Sequence, residues 1–207
     1  MNSSEPDRLR TTHAPVTSAR IMFYSHDTFG LGHLRRTRTL AAAITDSDPT
    51  ATALILTGSP VAGRFDFPRR VDHVRLPGVT KLADGSYASR AMGMDLEETT
   101  RLRAGLIETA AREYRPNMLI VDKEPTGCRG ELKPTLEMLR QDTDAKLVLG
   151  LRDVLDEPEV LSAEWARKGA LEVAEDFYDE IWIYGANAVY DPTSGLDFSD
   201  AARGRMH

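Results

Sequence analysis

One cysteine, Cys128, is the only thiol in the 207-residue chain. An internal disulfide framework is therefore excluded, and this cysteine usage fits a reducing cytoplasm. With no evident base beside it in the sequence, Cys128 reads as an unreactive thiol. Long apolar runs are missing as well, so no stretch can span a bilayer as a helix. The opening MNSSEPDRLRTTHAPVTSA is polar and lacks a signal-peptide core, and residues 1–19 read as a disordered tail. Broad positive charge is also absent: 26 Lys and Arg stand against 32 Asp and Glu, a net charge of -6. That balance argues against a general nucleic-acid binder. There is no internal repeat. The pair His26–Asp27 has no neighbour to complete a metal site, so neither a metal nor a cofactor is expected.

What remains is ordinary globular composition, 41% apolar and 28% charged, at a length that suggests one domain over residues 20–207. From Arg20 onward, strand-like and helix-like blocks alternate. Apolar runs at 20–25, 51–57, 71–77, 117–122, 146–152 and 179–185 read as strands. The third alternates polar and apolar residues, which places it nearest an edge. The first helix carries a stripe of Leu34, Thr37, Ala41 and Ile44. A helix over 95–114 is expected to bury Leu102, Leu106, Ala110 and Tyr114. Glu131 belongs to the charged turn after the fourth strand, placed to orient a polar substrate, and early in a helix over 131–140 it also reads as an acid complementing the dipole. Pro158 opens another helix that Gly169 interrupts. Residues 77–94, rich in glycine and polar side chains, read as one long functional loop. Such alternation predicts a Rossmann-like α/β domain, a parallel sheet with helices on both faces. Its ligands bind outside the carboxyl ends of the strands.

Every unusual turn falls on that edge. FYSHDTFGLGHLRRTRTLAAAI runs from a strand through a glycine turn into a helix with arginines in its first turns. Cations oppose the partial positive charge of a helix N-terminus, so the crowding suggests an anion held there by Gly30, Gly32, Arg35 and Arg36. The turn is not a dinucleotide fingerprint, since Arg35 stands where the third glycine belongs and no acid ends the second strand. Nor is it a nucleotide-triphosphate loop. His33, at the turn-to-helix junction, has the residue type of a general base near neutral pH. VDKEPTGCRGEL adds Asp122 and Glu124 to the same edge, and LRDVLDEP adds Arg152, all as substrate-binding candidates. Tyr184 falls on that edge too.

The stretches FGLGHLRRTRTLA, LILTGSP, VRLPGVTKLADGSY, IVDKEPTGCRGEL, VLGLRDVLDEP and IWIYGANAVYDP resemble the amino-terminal half of a GT-B glycosyltransferase. The branch is similar to family 28, that of the peptidoglycan N-acetylglucosaminyltransferase. The resemblance implies the acceptor-side domain of an enzyme that moves sugar from a nucleotide-sugar donor to a hydroxyl acceptor, with His33 as the base. It also implies a second, carboxyl-terminal donor domain that this sequence does not contain, so the chain is expected to be truncated and inactive alone unless a separate chain supplies that half. Nucleotide-sugar hydrolysis and a non-catalytic sugar- or phosphate-binding module are the alternative readings. Contact with a membrane surface stays open for a soluble protein of this kind.

Overall fold

The computed structural model describes residues 18–25, 32–82, 87–152, 157–185 and 190–207. Six parallel strands form one sheet: β1 (Arg20–Ser25), β2 (Thr52–Thr57), β3 (Val71–Arg75), β6 (Met118–Asp122), β7 (Lys146–Arg152) and β8 (Glu180–Tyr184). Their order is β3-β2-β1-β6-β7-β8. The alternating strand β3 lies at the edge, as its pattern predicts. At the other side Met206 bridges Ile181 in parallel, so the last residues pair with β8. A separate antiparallel hairpin, β4 (Val79–Lys81) with β5 (Tyr87–Ser89), lies within the segment expected to be one long loop. Each of its strands has three residues, too few to show a period in the sequence.

Side-chain alternation divides the core between the two faces of the sheet. Ile21 and Phe23 of β1, with Ile55, Ile120 and Val148, pack against Leu34 and Ala41 of α1 (Gly32–Ser47). Met22, Tyr24, Leu119, Val121, Leu147 and Leu149 face the opposite way. There they meet α2 (Leu96–Tyr114), α3 (Lys133–Asp142), α4 (Pro158–Lys168) and α5 (Ala170–Phe177). The two faces together make a Rossmann-like α/β domain.

Local signals explain the helix ends. The Asp95 carboxylate accepts a hydrogen bond from the Glu98 N–H at 2.7 Å and caps α2, whose first turn carries Glu97 and Glu98. Gly169, at φ 57°, supplies the left-handed residue that ends α4 and admits α5 at a new angle.

The face of α2 differs from the expected one. Thr99, Arg103, Ile107 and Ala111 are buried, and Leu102 and Leu106 are exposed. The helix is turned by one residue from the expected face, and Arg103 meets a buried partner there. Glu131 lies ahead of α3, fully buried, and takes two hydrogen bonds of 2.6 Å from the Arg103 guanidinium. The Tyr24 hydroxyl donates to the same carboxylate at 2.7 Å, and Arg103 also donates to the Pro77 carbonyl at 2.6 Å. Glu131 is thus one end of a buried ion pair and not a solvated complement to a helix dipole. A four-residue helix, α6 (Asp200–Arg203), lies near the end of the chain with Ala202 in the core.

Candidate active site

The strand order reverses between β1 and β6, the first strand being followed outward by β2 on one side and joined by β6 on the other. In an open α/β sheet a crevice forms at that reversal, beyond the carboxyl ends of the strands. The register sets which side chains reach it. Tyr24 pairs with Val121 and Asp122 pairs with Gly150, so Ser25, Asp122 and Gly150 follow one another across three strands. By parity all three face α1, as do Phe23, Ile120 and Val148 behind them.

α1 starts above this row and places His33 and Arg36, three residues apart, on neighbouring positions of one helix face. Asp122 is the group on which both converge. His33 Nδ1 lies 2.8 Å from Asp122 Oδ2, and Arg36 Nη2 donates to Oδ1 at 2.9 Å and to Oδ2 at 3.2 Å. The carboxylate is 6% exposed, against 13% for His33 and 23% for Arg36, so the ion pair is screened from water on most sides. An ionised carboxylate can only accept, which assigns the Nδ1 proton to His33. The 3.2 Å approach of Arg36 Nη2 to Nδ1 is then a contact between two donors and not a hydrogen bond.

Tyr184, at the end of β8, supports the arginine from below. The Arg36 guanidinium lies 5.3 Å from the centre of its ring, a cation–π contact. Burial pushes the Tyr184 hydroxyl up to about 12, with the Asp122 charge adding and Arg36 opposing, so it stays protonated. The ring lies against Gly150, where a Cβ would fall 2.2 Å from the Tyr184 hydroxyl oxygen; only glycine fits. The Tyr184 hydroxyl, Ser25 Oγ and Arg36 Nε are all buried with no hydrogen-bond partner among the described residues. These three flank a single carboxylate, and buried polar atoms left open in this way usually mark a place where water or a ligand completes the network.

The remaining candidates separate from this centre. Arg35 is exposed on α1, and its guanidinium has no partner among the described residues. Gly32 is the first residue of α1, with open space where a Cβ would stand, and Gly30 lies outside the described residues. Arg152 ends β7, exposed, beside Tyr184 in register. Glu124 is drawn away. Lys123 takes a φ of 72°, and the Glu124 N–H donates back to the Asp122 carbonyl at 3.0 Å in a tight three-residue turn. That turn sends Glu124 to Lys168 of α4, 2.7 Å distant, in a partly buried ion pair.

Two of the three arginines crowded at α1, Arg36 and Arg38, have partners inside the chain. Arg36 neutralises Asp122. Arg38 donates to the Asp66 carbonyl and stacks over Phe65 and Phe67, at 4.8 and 5.4 Å from their centroids. Phe67 in turn stacks on His73 at 4.3 Å, so His73 sits in a packing role. Among the described residues no cluster of three His, Cys, Asp or Glu is arranged to hold a metal ion, and no helix is long and apolar enough to cross a membrane. Tyr184 and Ser25 enter the site from their registers; Tyr184 was legible in sequence only as a member of the same edge.

No protein-family model matches the sequence. No curated protein matches it either. Solved structures do match in fold. A glycosyltransferase from Rickettsia africae is 10% identical over 92% of this chain and 42% of its own, with a TM-score of 0.52. The calicheamicin glycosyltransferase CalG4 is 10% identical over 90% of this chain and 52% of its own, at a TM-score of 0.46. A ugt transferase from Siraitia grosvenorii, solved in complex with UDP, is 12% identical over 79% of this chain and 31% of its own, at 0.41. The chain spans between about a third and a half of the length of these proteins. At such identities the likeness is one of fold, and the Rickettsia africae enzyme carries it.

Proposed function

We propose that this chain is the acceptor-side domain of a glycosyltransferase, which moves a sugar from a nucleotide-sugar donor to a hydroxyl acceptor. The observation that carries the reading is the His33–Asp122 pair at the point where the strand order reverses. The fold shared with the Rickettsia africae glycosyltransferase supports it.

In this reading the acceptor hydroxyl lies at the carboxyl edge, against His33 Nε2. The ring takes the hydroxyl proton as the oxygen attacks the anomeric carbon, and the bond to the nucleotide diphosphate breaks with its electron pair leaving on the phosphate oxygen. Asp122 holds the ring by its Nδ1 proton and stabilises the imidazolium that forms, so it acts through His33 and does not take the proton itself. Arg35 and Arg152, both exposed, are cations available to meet a phosphorylated group. The donor half lies in sequence beyond this chain or in a partner.

The test is turnover by the complete protein with a panel of nucleotide sugars and hydroxyl acceptors, reading nucleotide diphosphate release and the glycosylated product. A positioned base contributes roughly a hundred- to ten-thousandfold, so His33→Ala should lose turnover in that range with donor affinity kept. Full turnover by His33→Ala where chemistry limits the rate would remove His33 as the base. Release of free sugar without any acceptor would move the reading to hydrolysis.

A further inference from the structure

Arg36 and His33 share Asp122, and Arg36 is itself seated on β8. We infer that Tyr184 is a positioning residue for the proposed transfer: the face of its ring keeps the Arg36 guanidinium on Asp122, and so steadies the carboxylate that holds His33. The inference rests on the reading of the His33–Asp122 pair as catalytic.

Three features of the geometry carry it. First, a single nitrogen makes both contacts to the carboxylate. Arg36 Nη2 stands 2.9 Å from Oδ1 and 3.2 Å from Oδ2. In a fork-on-fork pair two parallel bonds fix the guanidinium; here Asp122 anchors the group without orienting it. Arg36 Nε is buried with no hydrogen-bond partner among the described residues, and the approach of Nη2 to His33 Nδ1 is one of two donors. What orients the head is the Tyr184 ring, whose centre lies 5.3 Å from Arg36 Cζ.

Second, the ring has a seat that only glycine leaves open. Tyr184 stands level with Arg152 in register, and its side chain turns back over Gly150. A Cβ at residue 150 would fall 2.2 Å from the hydroxyl oxygen and 2.7 Å from Cζ. Gly150 is the register partner of Asp122, so the missing side chain lets the ring lie on the strand beside the carboxylate. Third, the ring makes the contact and the hydroxyl does not: it is buried without a hydrogen-bond partner among the described residues. Phenylalanine presents the same face, and an aliphatic side chain presents none.

The consequence for the site is precision. If the guanidinium turns away, a carboxylate only 6% exposed loses its cation and one of the contacts that fix its angle. Misplacing a catalytic group by about 1 Å can cost on the order of a hundredfold in rate. Tyr184 acts through Arg36 and Asp122 and takes no proton itself.

The experiment follows the Arg36 guanidinium by ¹⁵N NMR in the purified 207-residue chain, which needs no substrate; Arg36→Lys assigns the signals. The quantity read is the rate of rotation about the Nε–Cζ bond. Wild type is compared with Tyr184→Phe, Tyr184→Leu and Gly150→Ala, and with Ile107→Ala, in the core on the other face of the sheet, as a control for lost stability. Gly150→Ala moves the ring without removing it and serves if the leucine variant does not fold. Rotation should quicken about two- to thirtyfold in Tyr184→Leu and Gly150→Ala, the range a cation–π contact spans, and stay near wild type in Tyr184→Phe and Ile107→Ala. In the complete protein Tyr184→Leu should lower kcat with the donor KM kept, and Tyr184→Phe should recover it. A guanidinium as restrained in Tyr184→Leu as in wild type, or a phenylalanine variant as poor as the leucine one, overturns the inference. Because the rotation is read without turnover, it can fail while His33→Ala still abolishes transfer. It can also hold while His33→Ala keeps full transfer, which removes the reading of His33 and with it the role of Tyr184 in the reaction.

Discussion

Removing the Arg103 guanidinium should be among the most damaging single changes outside the site. Its side chain is 4% exposed and that of Glu131 is fully buried, so Arg103→Met leaves a carboxylate with no cation in a dry interior. Breaking one side of a buried pair costs about 3–5 kcal/mol. The Pro77 carbonyl also loses its donor, which adds about 1–3 kcal/mol. A domain of this kind has about 5–15 kcal/mol in all, so the variant should lie near the edge of folding. Arg103→Met with Glu131→Leu removes both charges, and the Tyr24 hydroxyl keeps the Cys128 N–H as a partner at 3.0 Å. The double variant should therefore recover most of the loss. The measurement is urea unfolding followed by the fluorescence of Trp165 and Trp182. A single variant that costs under about 1 kcal/mol, or a double variant as unstable as the two singles added together, would refute the argument that an unpaired buried charge is the cause.

Gly150→Ala should destabilise by about 1–3 kcal/mol through overpacking, and Tyr184→Phe should not rescue it, since the ring carbon Cζ would still lie 2.7 Å from the new Cβ; denaturation of the single and double variants decides. Cys128 is buried and its thiol is pushed up to about 12, mainly by burial and then by Glu131, so a thiol reagent at pH 8 should label it only as the protein unfolds. Asp179 is held below its usual range: burial pulls upward, but the Leu147 N–H and Arg140 outweigh it. A depressed carboxylate contributes stability above its unfolded pKa and loses it as pH falls through the folded one. Stability should therefore decline on acidification below about pH 4, and Asp179→Asn should flatten that part of the curve.

The main lines of the fold were legible because the buried strands are short apolar runs bounded by polar turns, and their limits moved by only a residue or two. Two features were not. The three-residue strands of the hairpin have no room to show alternation. The face of α2 was misjudged because a charged residue normally marks the solvent side, and nothing local says that Arg103 has Glu131 waiting 28 positions away. The site divides in the same way. His33, Arg36 and Asp122 each stood out by type and by place on the carboxyl edge. Their meeting depends on β6 docking beside β1, which is a property of the register and not of any one segment. Glu124 shared the edge with Asp122 but left it through the positive φ of Lys123, a backbone state that a lysine does not advertise.

The separation of the site's parts along the chain bears on how the molecule reaches its final form. β1 joins β6 across 97 residues, between Arg20 and Asn117, and His33 meets Asp122 across 89. Closing loops of that length carries an entropic cost before any contact offsets it, and parallel pairings between distant strands are correspondingly slow to form. α1 with β2 and β3, and α3 with β7, can assemble from closer neighbours. The His33–Asp122 contact exists only once these two portions have joined. A probe of that contact during refolding would therefore time the joining of the sheet's two halves.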